Sequence, residues 1–483
     1  MSRRQQLTLL AAVCGSAVAT IDGSIVNVAL PAIERDLGGG LAGQQWVANA
    51  YLLSLGSLIL LGGSLGDAWG ERRVFTIGIA AFGAFSLACA LAPSNSLLVT
   101  ARTLQGAAGA LVTPSSLAII VAAFPPGQRA RAVGSWTAWG GIALIAGPLA
   151  GGSIVDHASW RWIFALNVPL VLATLVLIGI AVPGRSAGTN RRPIDLVGAC
   201  LCTLALAGLV FGLVEEPRYG WTSTATVASL ASGAAAFALF LAYERRIRQP
   251  MLRLGLFSRR NFAIANTETF AMYAGIAILF FFLVIYLQQV AGYGAFKSGL
   301  TTLPETAVMF VLSRRAGVLA DRFGPRVFMG GGPVIAAAGV LLLVRLGTDV
   351  SFLTDLLPAL LVFALGLALT VAPLTATVLA DVDDNDAGIA SAANNAIARV
   401  AALVGIAVVG AVVAGTLGGG AFATSQHAVR AFHEAMLICA TLFAASGAIG
   451  AIGIADPRRE VEAAACAGGQ FVGAPEASLP QQA

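Results

Sequence analysis

The sequence predicts an all-α protein of fourteen membrane-spanning helices, and three observations carry that prediction. Of the 483 residues, 57% are hydrophobic and only 11% charged, whereas a soluble chain carries about 25% charged residues. Apolar stretches of about 20 residues, the length that crosses a bilayer, alternate with short polar breaks over most of the chain. The basic residues concentrate in every second break, as the topology of a polytopic chain requires. The 56 glycines fit the same class, because small residues let helices approach closely where lipid removes the hydrophobic pull between them.

In chain order the spans are 7–32, 45–66, 74–92, 97–123, 134–155, 163–182, 195–214, 224–243, 262–287, 298–318, 327–346, 355–379, 388–414 and 432–454. The first of these imitates a signal peptide. Ser2-Arg3-Arg4 precedes the apolar run Leu7 to Val13, and Ala17-Val18-Ala19 offers a small-residue cleavage site. The run continues to Leu30, long enough to span, so an uncleaved first helix is expected. The tail after Arg459 is rich in Ala, Gly, Pro and Gln and is expected to be disordered.

An even number of spans puts both termini on one side, and arginine decides which. Breaks on the terminal side hold 19 basic residues, among them Arg185, Arg191, Arg192, Arg458 and Arg459. The opposite breaks hold 6: Arg35, Arg161, Arg218, Lys297, Arg345 and Arg430. Arg102, Arg314, Arg315 and Arg399 fall inside spans. Positive residues stay in the cytoplasm, so a multi-pass cell-membrane protein with both termini cytoplasmic is expected. The acidic run of Asp381, Asp383, Asp384 and Asp386 lies on the same side; acidic residues carry little topological weight.

Composition also excludes several classes. The net charge of +5 comes from a chain whose only lysine is Lys297, and it points to no nucleic-acid partner. The six cysteines are scattered and no His cluster accompanies them, so neither a metal nor another cofactor is expected. No HExxH, zinc set or clustered catalytic set marks a membrane enzyme, and the absence of GxxxxGK[ST] rules out ATP-driven export by this chain alone.

Two breaks repeat each other. After the second span the sequence reads Gly63-Ser64-Leu65-Gly66-Asp67-Ala68-Trp69-Gly70-Glu71-Arg72-Arg73. After the tenth it reads Gly317-Val318-Leu319-Ala320-Asp321-Arg322-Phe323-Gly324-Pro325-Arg326. Gly, Leu, Asp, Gly and Arg match in register, 254 residues apart. Duplicated halves in a helical membrane protein mark secondary transporters. The repeat divides the chain into a six-helix half at 1–182, a linker region with two extra helices at 183–260, a second six-helix half at 261–455 and a tail at 456–483. Glycine permits the tight turn. Asp67, Gly70, Arg72 and Arg73, with Asp321, Gly324 and Arg326, are expected to form a gating charge cluster that holds one closed conformation.

These loops resemble the helix 2–3 signature of the major facilitator superfamily, with departures at Ala68 and Glu71. Three further matches resemble its fourteen-spanner drug:proton antiporter branch. Helix 1 carries Asp22-Gly23-Ser24-Ile25-Val26-Asn27-Val28-Ala29-Leu30-Pro31. Helix 4 carries Arg102-Thr103-Leu104-Gln105-Gly106 with Gly109. Helix 5 carries Gly147-Pro148-Leu149-Ala150-Gly151-Gly152, with Ala143 where an upstream glycine is usual. Trp160 to Phe164 and Asn167-Val168-Pro169 are also similar to that branch. The resemblance covers residues 7–455. It implies a major-facilitator fold and a monomeric secondary transporter that exports small hydrophobic or drug-like molecules in exchange for protons. Its partners would be the lipid bilayer, protons and a small-molecule substrate. A dedicated exporter of an endogenous metabolite or antibiotic is the alternative.

The residues have readings of their own. An ionised carboxylate mid-helix in lipid is costly, so Asp22 is a proton or cation site or is paired locally with Ser24 or Asn27. Arg102 keeps its charge and needs a partner or water; the resemblance makes it part of the proton relay. Glu268 and Glu305 are the other carboxylates within spans and candidates for a second titrating group. Glu268 can instead be an interfacial residue, and Glu305 follows Pro304, where irregular backbone could line a cavity. Arg314 and Arg315 are expected to snorkel. Helix 13 holds Arg399 but no acid, which argues against dicationic substrates. Gly147, Gly151 and Gly152 give close packing and Pro148 bends the helix, as a seal over one access route requires.

Overall fold

A computed structural model of the chain describes residues 1–182, 194–248, 250–380, 382–383, 387–417 and 426–456. Arg185, Arg191, Arg192, Asp381, Asp384, Asp386, Arg458, Arg459 and the tail from 457 lie outside the described residues.

Fourteen long helices account for most of the described chain. They are α1 (Arg3–Leu37), α2 (Gly40–Trp69), α3 (Glu71–Ala90), α4 (Asn95–Ala123), α5 (Pro126–His157), α6 (Arg161–Ala181), α7 (Leu196–Val214), α8 (Thr224–Glu244), α9 (Arg260–Gln289), α10 (Leu303–Phe323), α11 (Pro325–Leu343), α12 (Leu357–Ala380), α13 (Ala387–Leu417) and α14 (Gln426–Gly453). Thirteen are long and apolar enough to cross a membrane. The exception, α10, carries Glu305, Arg314, Arg315, Asp321 and Arg322. It was expected at 298–318. Instead a short helix, Ala295–Leu300, precedes it and the chain breaks at Thr301 and Thr302.

The first helix runs unbroken through the signal-like region. Its start is fixed by a reciprocal cap: Gln5 N–H donates to Ser2 Oγ at 3.2 Å and Ser2 N–H donates to Gln5 Oε1 at 2.9 Å, satisfying backbone donors that a helix start leaves orphaned.

Two groups of six helices emerge from the packing. In one, α2 lies on α4, α4 on α3, and α1 on α5 and α6; in the other, α11 lies on α12 and α14, and α9 on α13 and α14. The pair α7–α8 stands outside both groups. Leu206, Val210, Leu213 and Val214 of α7 share one apolar cluster with Leu53 of α2 and Leu403 and Ala407 of α13. The linker pair therefore touches both groups along a single seam.

One face of the bundle, the proximal face, holds Met1 and Asp456; the other is the distal face. At the proximal face arginines donate to the last carbonyls of neighbouring helices. Arg4 Nε reaches Ala181 O at 3.2 Å, Arg260 Nε reaches Gly453 O at 2.8 Å, and Arg326 Nε reaches Ala451 O at 2.5 Å. Cations at helix C-termini satisfy orphan acceptors and complement the helix dipole. The residues that the positive-side bias concentrates thus also tie the helix ends together.

The repeat is structural as well as textual. Gly70 and Gly324 have φ of 91° and 92°, and each is the single residue between two helices, the C-cap of one and the N-cap of the next. The Gly70 N–H donates to Gly66 O at 2.9 Å and the Gly324 N–H to Ala320 O at 2.8 Å. A side chain is strained at such φ, which accounts for glycine at both elbows. The Glu71 carboxylate folds over Gly66, whose missing side chain leaves it room.

Candidate transport site: a buried ion pair and the seam between the helix groups

Asp22, midway along α1, is 0% exposed, and Arg102 of α4 is 1% exposed. They form a buried ion pair through Arg102 Nη1 and Asp22 Oδ2. The other carboxylate oxygen, Oδ1, accepts from Gln105 Nε2 at 2.8 Å and from Asn167 Nδ2 at 2.8 Å. Both amides also donate to Ser86 Oγ, at 2.7 and 3.0 Å. Arg102 donates further to Gln105 Oε1 at 2.8 Å and to the Val47 carbonyl at 3.3 Å. The Tyr51 ring lies 4.3 Å from its guanidinium carbon. Five helices, α1, α2, α3, α4 and α6, thus contribute to one polar knot inside an apolar bundle.

This arrangement corrects the local-pairing reading of Asp22. Ser24 donates instead to Ile21 O at 3.0 Å within α1, and Asp22 takes all its partners from α4 and α6. Burying two charges demands such saturation, because desolvation is repaid only when the remaining donors and acceptors are also satisfied. Removing the charge on either partner would leave the other buried and uncompensated.

Glu268 is placed elsewhere. It is 0% exposed, and neither carboxylate oxygen has a hydrogen-bond partner among the described residues. It lies against Gly450 of α14 and close to the Met329 carbonyl of α11. At 100° per residue it occupies the side of α9 away from Asn266 and Thr269, which face Asn394 of α13. Glu305 is half-buried in the first turn of α10, just past the break at Thr301 and Thr302. Neither is part of the Asp22–Arg102 knot.

The glycines of α5 divide that helix into two regimes. A Cβ at Gly147 would collide with Ser24 Oγ, and one at Gly151 with Ile25 Cγ1. A Cβ at Gly152 would lie 2.6 Å from Phe296 Cα, and one at Gly299 would lie 2.5 Å from Pro148 O. Toward the proximal face, by contrast, Gly134, Gly140 and Gly141 have nothing within 4 Å of a built Cβ. The distal half of α5 is clamped backbone to backbone against the other helix group, and the proximal half stands free at those positions.

Hydrogen bonds joining the two groups are distal too. Asp156 Oδ1 and Oδ2 accept from the Ala295 and Phe296 N–H groups, both at 2.8 Å, capping the short Ala295–Leu300 helix from across the seam. Gln288 Nε2 donates to Val28 O at 2.9 Å and Gln45 Nε2 to Ile406 O at 2.7 Å. At the proximal face Asp67 and Asp321 are both exposed, with no hydrogen bond or ion pair to a described residue. The expected charge cluster at the loops is thus not assembled in this conformation, which is closed distally.

Sequence reasoning missed Asp156, Gln45 and Gln288. Asp156 ends an apolar span like many loop-proximal acids, and nothing in its neighbourhood names the backbone it caps 139 residues later. Asn167 and Gln105 were visible only as motif letters.

Two packed groups of six helices, an ion pair buried in one of them and a seam closed at one face define a membrane transporter, not an enzyme. Comparison with known proteins agrees. Residues 12–406 match the model of the Major Facilitator Superfamily, and the chain belongs to that family. It is 36% identical over 423 residues to the multidrug resistance protein Stp of Mycobacterium tuberculosis, covering 86% of this chain and 77% of that protein. It is 34% identical over 412 residues to the tetracenomycin C resistance and export protein of Streptomyces glaucescens, covering 85% and 76%. Among solved structures, a bacterial homologue of the human lysosomal transporter Spinster superposes with a TM-score of 0.68 at 15% identity, over 94% of this chain and 97% of that one. The xylose transporter XylE from E. coli gives 0.62 at 13% identity, over 94% and 97%. These two likenesses concern the fold.

Proposed function

We propose that the protein exports small hydrophobic or drug-like molecules across the cell membrane in exchange for protons, with both termini cytoplasmic and the monomer as the working unit. The observation that carries the reading is the saturated Asp22–Arg102 pair, a carboxylate that can take a proton only by breaking a charge balance with which five helices are engaged. The names of relatives that confer resistance or export support the direction of transport.

The mechanism is alternating access. Residues 1–182 and 261–455 rock as two bodies, with 183–260 supplying the linker pair. In the distally closed state the cargo enters from the cytoplasm. Rocking separates Gly152 from Phe296 and Asp156 from the Ala295 N–H, and brings the Asp67 and Asp321 loops into their gating contacts with Arg72, Arg73 and Arg326. A proton entering from outside reaches Asp22, releases Arg102 and displaces the cargo. Glu305, beside the break in α10, is the better placed second proton acceptor; Glu268 lies away from the central seam. One proton crossing 100 mV yields about 2.3 kcal/mol, enough for a gradient of roughly fifty-fold at 1.4 kcal/mol per decade.

Proton movement in proteoliposomes on substrate addition tests the reading. Cargo added to de-energised, oriented vesicles should drive counterflow of protons, detected by a lumenal pH dye. Transport without any proton movement refutes proton coupling.

A further inference from the structure

Arg399 is an arginine inside a membrane-spanning helix that the ion-pair site leaves unexplained. It lies twelve residues into α13, about 18 Å along the helix and so near the middle of a hydrocarbon core about 30 Å thick. It is only partly buried, and it makes no hydrogen bond or ion pair with a described residue. Among the described residues, the carboxylates within the spans are engaged or turned away. Asp22 is held by Arg102, Glu268 lies on the far side of α9, and Glu305 makes no ion pair with it.

It lies where α13 packs against α2, between the two helix groups. Gly56 of α2 faces its Cβ, at 3.2 Å from a built side chain. The Tyr51 and Tyr273 hydroxyls, one from each group, are within its electrostatic reach. Asn395 and Ser391, one and two turns nearer the proximal face on the same side of α13, are exposed, making a polar stripe at i, i+4 and i+8 on an apolar helix. On the α2 side of this seam, Asn49 is fully buried with both amide atoms unpartnered. An unpaired guanidinium facing lipid would be very costly; facing water between the groups, it would be a standing cation with no counter-ion among the described residues. Tyr51, stacked on Arg102, places this charge next to the proton site.

We infer that Arg399 receives a negative charge carried by the cargo, so that the protein selects amphipathic anions, an apolar body bearing a carboxylate, phenolate or sulfonate, over matched neutral or cationic molecules. This rests on the proposal that the cavity between the groups is the cargo site. Guanidinium suits the role, since its planar fork can hold an oxyanion with two donors. A cationic cargo meets a repulsive charge where an anionic one meets its counter-ion.

The test is equilibrium binding to the full chain in nanodiscs of uncharged lipid, with no gradient. The probes are anilinonaphthalene sulfonate and phenylnaphthylamine, which differ by the sulfonate. The wild type should bind the sulfonate at least about tenfold more tightly. Arg399→Gln should abolish that preference while still binding the neutral amine, which also reports that the cavity is folded, and Arg399→Lys should keep most of the preference. Equal binding of the two probes by the wild type, or an undiminished preference in Arg399→Gln, overturns the inference. The wild-type comparison decides even if the glutamine variant fails to fold. Because no proton gradient is involved, a preference for the anion without proton-coupled transport would sink the export mechanism and leave this assignment standing.

Discussion

Replacing Asp22 by Asn removes a charge while keeping the shape, and the structure sets the cost. The Arg102 guanidinium, 1% exposed, loses its counter-charge, and breaking one partner of a buried pair destabilises by about 3–5 kcal/mol. Asp22 Oδ1 also accepts from two amides, and a carboxamide cannot match all the donors now aimed at this carboxylate. The single variant should therefore insert but unfold markedly earlier than wild type. Arg102→Gln should suffer comparably, because it strands Asp22. The double variant removes both charges and should recover stability, giving a coupling of at least about 2 kcal/mol between the two positions. Reversible unfolding in mixed micelles measures all four corners of the cycle. Proton-driven export should be absent in both single variants and in the double, which separates the chemical role from the structural one. Losses that add within about 0.5 kcal/mol would refute the ion-pair argument. Normal export by Asp22→Asn at every external pH would refute the proton role.

Gly152→Leu should wedge apart the backbones of α5 and the Ala295–Leu300 helix, since even a Cβ would sit 2.6 Å from Phe296 Cα. The expected phenotype is a substrate-independent proton leak in proteoliposomes, and a tight variant with normal export would show that the distal clamp is dispensable. Asp156→Asn should lose one of two backbone hydrogen bonds to a charged acceptor, about 1.5–3 kcal/mol, enough to shift the balance of the two conformations by tenfold or more. Spin labels at positions 157 and 297 should report a new long-distance population, and an unchanged distance distribution counts against the seal. Gly70→Ala and Gly324→Ala should each cost about 1–3 kcal/mol because both glycines have φ near 90°. Equal melting temperatures for either variant and wild type would contradict the elbow geometry.

The class of fold was legible because lipid enforces a simple rule, about 20 apolar residues per crossing, and the chain obeys it almost everywhere. Where it does not, the reading slipped. The tenth span carries five charged residues and begins after a break at Thr301 and Thr302, and hydropathy places neither its break nor its end. The loop repeat was legible because two identical φ angles demand glycine at Gly70 and Gly324. For the site, Asp22 and Arg102 stood out as charges in apolar helices, but their pairing did not. They are 80 residues apart, and the nearer Ser24 and Asn27 were equally reasonable partners on chemistry alone. Asp156 was invisible for a deeper reason: it recognises backbone N–H groups, which every residue but proline possesses and no sequence pattern announces.

The asymmetric position of the linker pair has a mechanical consequence. Because α7 is glued by Leu206, Val210, Leu213 and Val214 to both Leu53 of α2 and Leu403 of α13, that edge of the molecule behaves like the spine of a book. If the two groups rotate about that edge, displacement grows with distance from it, so the helices remote from α7 sweep the widest arc.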